Sequence, residues 1–334
     1  MSQGYDEQIA RAVALLRAGE LVAFPTETVY GLGADASNPL AVAKIFAAKG
    51  RPADHPLIVH LASAGAMKRW ARELPAAAEK LAATFWPGPL TMILKRAPGV
   101  LDQVTGCQDT VGLRVPNHPL ALALLAEFAG ADHGGLAAPS ANRFGRISPT
   151  SADHVRHELG DAVAMVLDGG PCAVGIESTI VDLSRGGAVL LRPGAIAAAE
   201  LAQVLGSEVE AGGADTADRP RVSGSLAAHY APATPLQLVP AAALSDALAA
   251  ARGRGLRVAV LARSAPPDSG GRLWHQASAA VAGYAHDLYA KLRELDAIGA
   301  DLILVEAVPD DAAWLAVADR LRRAAQGTVA QDET

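Results

Sequence analysis

Cysteine is almost missing from this sequence: Cys107 and Cys172 are the only two in 334 residues. They form no C-x-x-C pair, so no disulfide framework is encoded, and a reduced, cytoplasmic setting is expected. Aromatic residues amount to 4%, which leaves the apolar mass to Ala, Leu and Val. Positive charge is not in surplus either. Lys and Arg number 29 against 35 Asp and Glu, a net charge of −6. Non-specific nucleic-acid binding rests on surplus basic side chains facing phosphates. Tight nucleic-acid binding is therefore not expected, though a local basic pocket is still allowed. Apolar runs are broken by charges well before the roughly 20 residues that span a bilayer. Residues Met1 to Glu7 lack the basic-then-apolar pattern of a signal peptide. No membrane partner is expected. The sequence also has no G-x-x-x-x-G-K-[ST] loop, no G-x-S-x-G elbow and no H-E-x-x-H helix.

What is present suits a folded α/β chain. Hydrophobic residues make up 51% and charged residues 19%, enough for a sizeable core. Helical spacing of Ile9, Val13 and Leu16 follows a plausible N-cap at Asp6, with Gly19 as a stop. Short apolar segments at 21–24, 57–61, 90–94, 111–115, 136–138, 165–167, 178–183 and 188–192 read as strands. Helices are expected at 39–48, 75–86, 120–128 and 151–158. Several strands follow one another closely, which argues for a twisted mixed sheet. The first domain is expected over 1–205 and a linker over 206–234, rich at its start in Gly, Ala, Asp, Pro and Ser. A smaller Rossmann-like α/β domain follows over 235–334, its strands at 236–239, 256–261 and 302–305 alternating with helices.

Five stretches carry more chemistry than their positions need. F24-P-T-E-T-V-Y-G-L-G33 sets Thr26, Glu27 and Thr28 directly after a buried strand, where ligands collect in open α/β sheets. It also reads as a Thr-rich turn hinged at Gly31 and Gly33. K49-G-R-P-A-D-H-P-L-I-V-H60 places Lys49 and Arg51 two residues apart, pointing the same way on an extended chain. Both could face one polyanion, or the stretch could be a solvated basic loop. Arg114, inside the apolar V111-G-L-R-V-P-N117, needs either an acidic partner or a ligand such as a carboxylate. A137-A-P-S-A-N-R-F-G-R-I-S-P-T150 offers Ser140, Asn142 and Ser148 on a loop that could wrap nucleotide oxygens or simply turn. I176-E-S-T-I-V-D182 and L190-L-R-P-G194 bring Ser178, Thr179 and Arg192 to strand ends, or form an ordinary hairpin. His154 and His157 sit three apart on one helix without a third metal ligand and read as a solvated face. Together the five stretches suit a pocket for a nucleotide and a small carboxylate, with almost no acid in it.

The ordered series P-T-E-T-V-Y-G-L, K-G-R-P, P-L-I-V-H, W-P-G-P-L-T, G-L-R-V-P, P-S-A-N, S-x-T-I-V-D and L-R-P-G resembles the YrdC-like family. The tail S223-G-S-L-A-A-H-Y-A-P232 with the extra α/β domain is similar to its two-domain threonylcarbamoyl-AMP synthase form. The resemblance covers nearly the whole chain. It implies an enzyme, a nucleotidyltransferase, that condenses L-threonine, bicarbonate and ATP into L-threonylcarbamoyl-AMP and pyrophosphate. Mg²⁺ would be held mainly by the ATP phosphates, with no metal site of the protein's own. The product would pass to a tRNA-modifying threonylcarbamoyl transferase. Matched motif by motif, Lys49, Arg51, Ser140 and Asn142 fall on the catalytic tetrad. Thr28, His60, Arg114, Ala138 and Ser178 fall at L-threonine contacts, with Arg114 taking the carboxylate. Lys49, Arg51, His55, Thr110, Ser140, Ser148, Arg192 and Tyr230 fall at ATP contacts. Because Tyr230 lies in the linker, the resemblance implies that the linker closes over the pocket as a lid.

Two departures stand out. Ser223-Gly224-Ser225-Leu226 replaces the family's usual Ser-Pro-Gly-Met, and Asp319 stands where Asn is usual. Two rival functions follow from the same motifs: a carbamoyl-adenylating enzyme with another acceptor, or an RNA-binding, ribosome-assembly module. The first usually brings zinc-finger or acyl-phosphatase domains that this sequence lacks, and the acidic balance weighs against the second.

Overall fold

The computed structural model describes residues 3–212, 219–224, 226–266 and 273–329. Part of the expected linker, residues 213–218 and Ser225, lies outside them. The strands are β1 (Val22–Phe24), β2 (Gly31–Asp35), β3 (Ile58–His60), β4 (Leu90–Lys95), β5 (Thr110–Arg114), β6 (Leu136–Ala137), β7 (Met165–Val166), β8 (Thr179–Asp182), β9 (Val189–Arg192), β10 (Glu210–Ala211), β11 (Leu236–Val239), β12 (Val258–Ala262), β13 (Trp274–Gln276) and β14 (Leu302–Glu306). The helices are α1 (Gln3–Arg17), α2 (Pro39–Lys49), α3 (Met67–Trp70), α4 (Ala76–Phe85), α5 (Asp102–Thr105), α6 (Pro119–Ala129), α7 (Ala152–Leu159), α8 (Ala198–Leu205), α9 (Leu244–Gly253), α10 (Val281–Ala297) and α11 (Leu315–Val329).

The chain forms two compact units. One comprises residues 1–143, 149–173 and 177–225, and the other 144–148, 174–176 and 226–334. The first unit holds a ten-stranded sheet in the order β10-β9-β8-β4-β5-β3-β6-β2-β1-β7. It is mixed: β4 pairs with β5 antiparallel and with β8 parallel. Strand alternation assigns its two faces. Val22, Phe24, Leu136 and Ala138 pack with Leu16 of α1 and Leu124 of α6, while Ala23 and Ala137 pack with Val42 and Ile45 of α2 on the other face.

Strand β2 departs from the turn expected at Gly31 and Gly33. Its glycines are there for closeness, since a Cβ on Gly33 would stand 2.8 Å from the Phe24 ring. The expected helix start after Asp6 is earlier, at Gln3. The second unit holds the parallel sheet β11-β14-β12-β13, with Leu244 and Leu248 of α9 packed on Val258 and Val260 of β12. Among the described residues, no helix is long and apolar enough to cross a membrane.

Candidate active site

Helix α2 delivers the first cation. Asn38 caps its start, accepting from Leu40 N at 3.0 Å and Ala41 N at 3.2 Å, and Pro39 opens the first turn. Gly50 ends it in a left-handed turn, φ 62°. That turn leaves Lys49, 3% exposed, pointing into the protein. Its Nζ donates to Ser140 O at 2.6 Å and also to Asn142 O. Three of the four predicted tetrad residues are thus joined directly. Burial first, and the Arg51 charge second, hold the Lys49 ammonium well below its ordinary proton affinity. Arg51, 7% exposed, donates through Nη2 to Pro56 O at 2.8 Å. The same loop carries His55, lowered by burial and then by Arg51. Neither cation is the solvated loop charge that its neighbours in sequence suggest.

A second group forms where β5 and β3 end. These strands are parallel, and His60 and Arg114 are register partners. His60 is buried, and burial together with the Arg114 charge pushes it down to about 3, so it is neutral at physiological pH. Its Nδ1 has no hydrogen-bond partner among the described residues. Arg114 Nε donates to Gly88 O at 3.3 Å, and Arg114 Nη2 lies 2.8 Å from Glu27 Oε2. One acid thus lies against Arg114, where the sequence pattern suggests almost none. Glu27 stands in the first of the five stretches, between Thr26 and Thr28 just past a buried strand, but has no place among the site residues that the resemblance implies. Thr28, fully buried, shares a hydroxyl contact with Thr26 at 2.8 Å. Ala138 donates its N–H to Ile58 O at 2.9 Å, fixing the loop that leads to Ser140.

The third group lies at the start of β8 and the end of β9. Ser178 Oγ is 2.8 Å from Thr91 Oγ1. Arg192 donates through Nε and Nη2 to Ser178 O, at 3.1 and 2.9 Å, through Nη2 to Ser178 Oγ at 3.1 Å and through Nη1 to Ser223 O at 2.8 Å. Thr110, 7% exposed, opens β5 opposite Lys95.

The remaining two predicted residues, Ser148 and Tyr230, belong to the second unit. Ser148 is fully buried. Tyr230 has φ 62°, a conformation that side chains other than glycine adopt only when neighbours enforce it. Here Tyr289 stacks 5.6 Å away, the Arg320 guanidinium lies 5.6 Å from the ring centroid, and Ala231 N donates to Gly145 O at 2.9 Å. Asp319 holds Arg320 and Arg323 at 3.0 Å each.

Two family models match the chain. The model described as Telomere recombination covers residues 14–194, and the model described as Threonylcarbamoyl-AMP synthase, C-terminal domain, covers residues 196–326. A threonylcarbamoyl-AMP synthase of Bacillus subtilis is 42% identical over 97% of this chain and 94% of its own. The one from Pyrococcus abyssi is 40% identical over 95% and 94%. The crystal structure of P. abyssi Sua5 complexed with L-threonine superimposes with a TM-score of 0.89 at 38% identity, over 97% of this chain and 95% of that one. Fold and site together define a YrdC-like α/β protein whose mixed sheet gathers buried cations, hydroxyls and amides at its strand ends. The chain belongs to the threonylcarbamoyl-AMP synthase family, in its two-domain form.

Proposed function

We propose that this enzyme condenses L-threonine, bicarbonate and ATP into L-threonylcarbamoyl-AMP and pyrophosphate. The observation that carries the reading is Lys49: a buried ammonium, depressed in proton affinity, tied to Ser140 and Asn142 and two residues from buried Arg51. Folding alone gains little from two like charges in a core edge. A triphosphate would repay both, and would favour the charged form of Lys49.

In this reading Lys49, Arg51, Ser140 and Asn142 hold the phosphates and the reacting carbamate, and His55, Thr110, Ser148, Arg192 and Tyr230 add ATP contacts. Thr28, His60, Arg114, Ala138 and Ser178 hold L-threonine, with Arg114 on its carboxylate. The amine of threonine attacks the carbon of bicarbonate, and water leaves to give the carbamate. A carbamate oxygen then attacks the α-phosphorus and pyrophosphate leaves. The protein's share is positioning and charge stabilisation. Lys49 and Arg51 offset the charge that builds on the leaving group. Neutral His60 can donate or accept a hydrogen bond without adding charge. Mg²⁺ supplies further neutralisation of phosphate charge when bound. Among the described residues there is no group of three or more His, Cys, Asp or Glu placed to hold a metal. The donors that fit it are the ATP phosphate oxygens, which Mg²⁺ takes readily. The adenylate would then pass to a tRNA-modifying threonylcarbamoyl transferase in the cytoplasm.

Pyrophosphate release from ATP and Mg²⁺ tests the reading, assayed with and without L-threonine and bicarbonate. Release is expected to need both. Release without threonine would mean another acceptor, and ATP binding with no release would mean a binding module. In the same assay Lys49→Ala should lower turnover by about 10²-fold or more, the scale of one lost charge-stabilising donor, with little change in melting temperature. Equal losses of activity and stability would deny Lys49 a catalytic role.

A further inference from the structure

The geometry points to Glu27 as the recognition residue for the amino group of L-threonine, with one amino acid spanning Glu27 and Arg114. This rests on the reading of the site as the L-threonine site. Glu27 follows β1 and is 6% exposed. Its Oε2 is occupied: it lies 2.8 Å from Arg114 Nη2 and accepts from Asn117 N at 2.9 Å. Its Oε1 is buried and has no hydrogen-bond partner among the described residues. Arg114 mirrors this. Its Nε is used by Gly88 O. Its Nη2 is within ion-pair distance of Glu27 but not aligned to donate a hydrogen bond to any described group.

A structural ion pair tends to satisfy both partners, because a buried charge with spare hydrogen-bonding capacity is costly. Here one buried acceptor and one buried donor remain unfilled within a single ion pair. An α-amino acid carries the complementary pair, an ammonium and a carboxylate joined through a single carbon. The carboxylate satisfies Arg114 Nη2 and the ammonium satisfies Glu27 Oε1. Glu27 therefore does two things: it orients Arg114, and it selects ligands that carry an amine.

Titration calorimetry on the full chain separates these roles, using L-threonine and its 2-hydroxy analogue, 2,3-dihydroxybutanoate of matching configuration. The analogue keeps the carboxylate and the side-chain hydroxyl and lacks only the ammonium. The wild-type protein should prefer threonine by about tenfold or more, the worth of one charge-assisted hydrogen bond. Glu27→Gln should lose most of that preference, chiefly by weakening threonine. A prop for Arg114 alone would weaken both ligands equally, and that result overturns the inference. Breaking a buried pair can impair folding, so the wild-type ratio is a second criterion: a ratio near one overturns the inference without any variant. Wild-type protein that binds neither ligand would instead sink the L-threonine reading itself.

Discussion

His60 shows what burial does to a single side chain. It sits beside Arg114 in the core edge and stays neutral down to about pH 3, against an ordinary value of 6.5. In the unfolded chain it takes up a proton as pH falls below 6.5, and in the folded chain it does not until about 3. The unfolded state binds more protons across that window, so stability falls with falling pH there and levels off below it. Each tenfold fall in the proton affinity of the folded state is worth about 1.4 kcal/mol. Replacing His60 by Gln should flatten this part of the stability profile, read as denaturant midpoints between pH 6.5 and 4. An unchanged slope would show that His60 takes up its proton in the folded protein too. Other side chains of the candidate site stand out in the sequence for a related reason. Lys49, Arg51 and Arg114 announce themselves because charge is out of place beside apolar strands. Glu27 did not, because an acid among threonines after Pro25 is also what an ordinary turn contains.

Among the elements, helices and strands with strong periodicity matched expectation closely: α2, α4 and β11 fall within one or two residues of it. Strand β2 did not, because its sequence Gly-Leu-Gly-Ala-Asp is poor in strand-forming residues and is dictated by Phe24 across the pairing. Backbone approach of this kind is invisible in one sequence. Gly106 is a second case. It ends α5 with φ 59°, and a Cβ there would stand 2.2 Å from Asp54 O and 3.2 Å from Pro56 N. This glycine is what the Arg51–Pro56 loop rests against. Gly106→Ala should push that loop outward and raise the KM for ATP by roughly tenfold, with a smaller effect on the KM for threonine. The size follows from about 1–3 kcal/mol of overpacking strain, part of it relieved only when ATP leaves. Steady-state kinetics with each substrate varied in turn checks this. Equal rises in both constants would mean general distortion.

At the scale of the whole molecule, nothing in the hydrophobic pattern tells that residues 144–148 group with residues from 226 onward. The contacts that hold them join residues far apart in sequence. Phe144 packs edge-on to His229 at 6.2 Å, Arg146 Nη2 reaches Asp296 Oδ2 at 3.5 Å, and Arg293 Nη2 donates to Ile147 O. A chain stopped after residue 225 lacks all three partners. Trypsin should cut it after Arg146 within minutes, while the full chain resists at that bond. Equal resistance would show that the segment keeps its shape without those partners.

The same arrangement bears on how the protein is made. A ribosome adds residues in order, and Ile147 leaves it about 145 residues before Arg293 does. At about 5–20 residues per second the segment waits roughly seven to thirty seconds for its partner. During that time the nascent chain carries Lys49, Ser140 and Asn142 already synthesised, while Ser148 has none of the later residues of its unit. The 144–148 segment is thereby made well before the bulk of its unit, which follows only in the last third of translation.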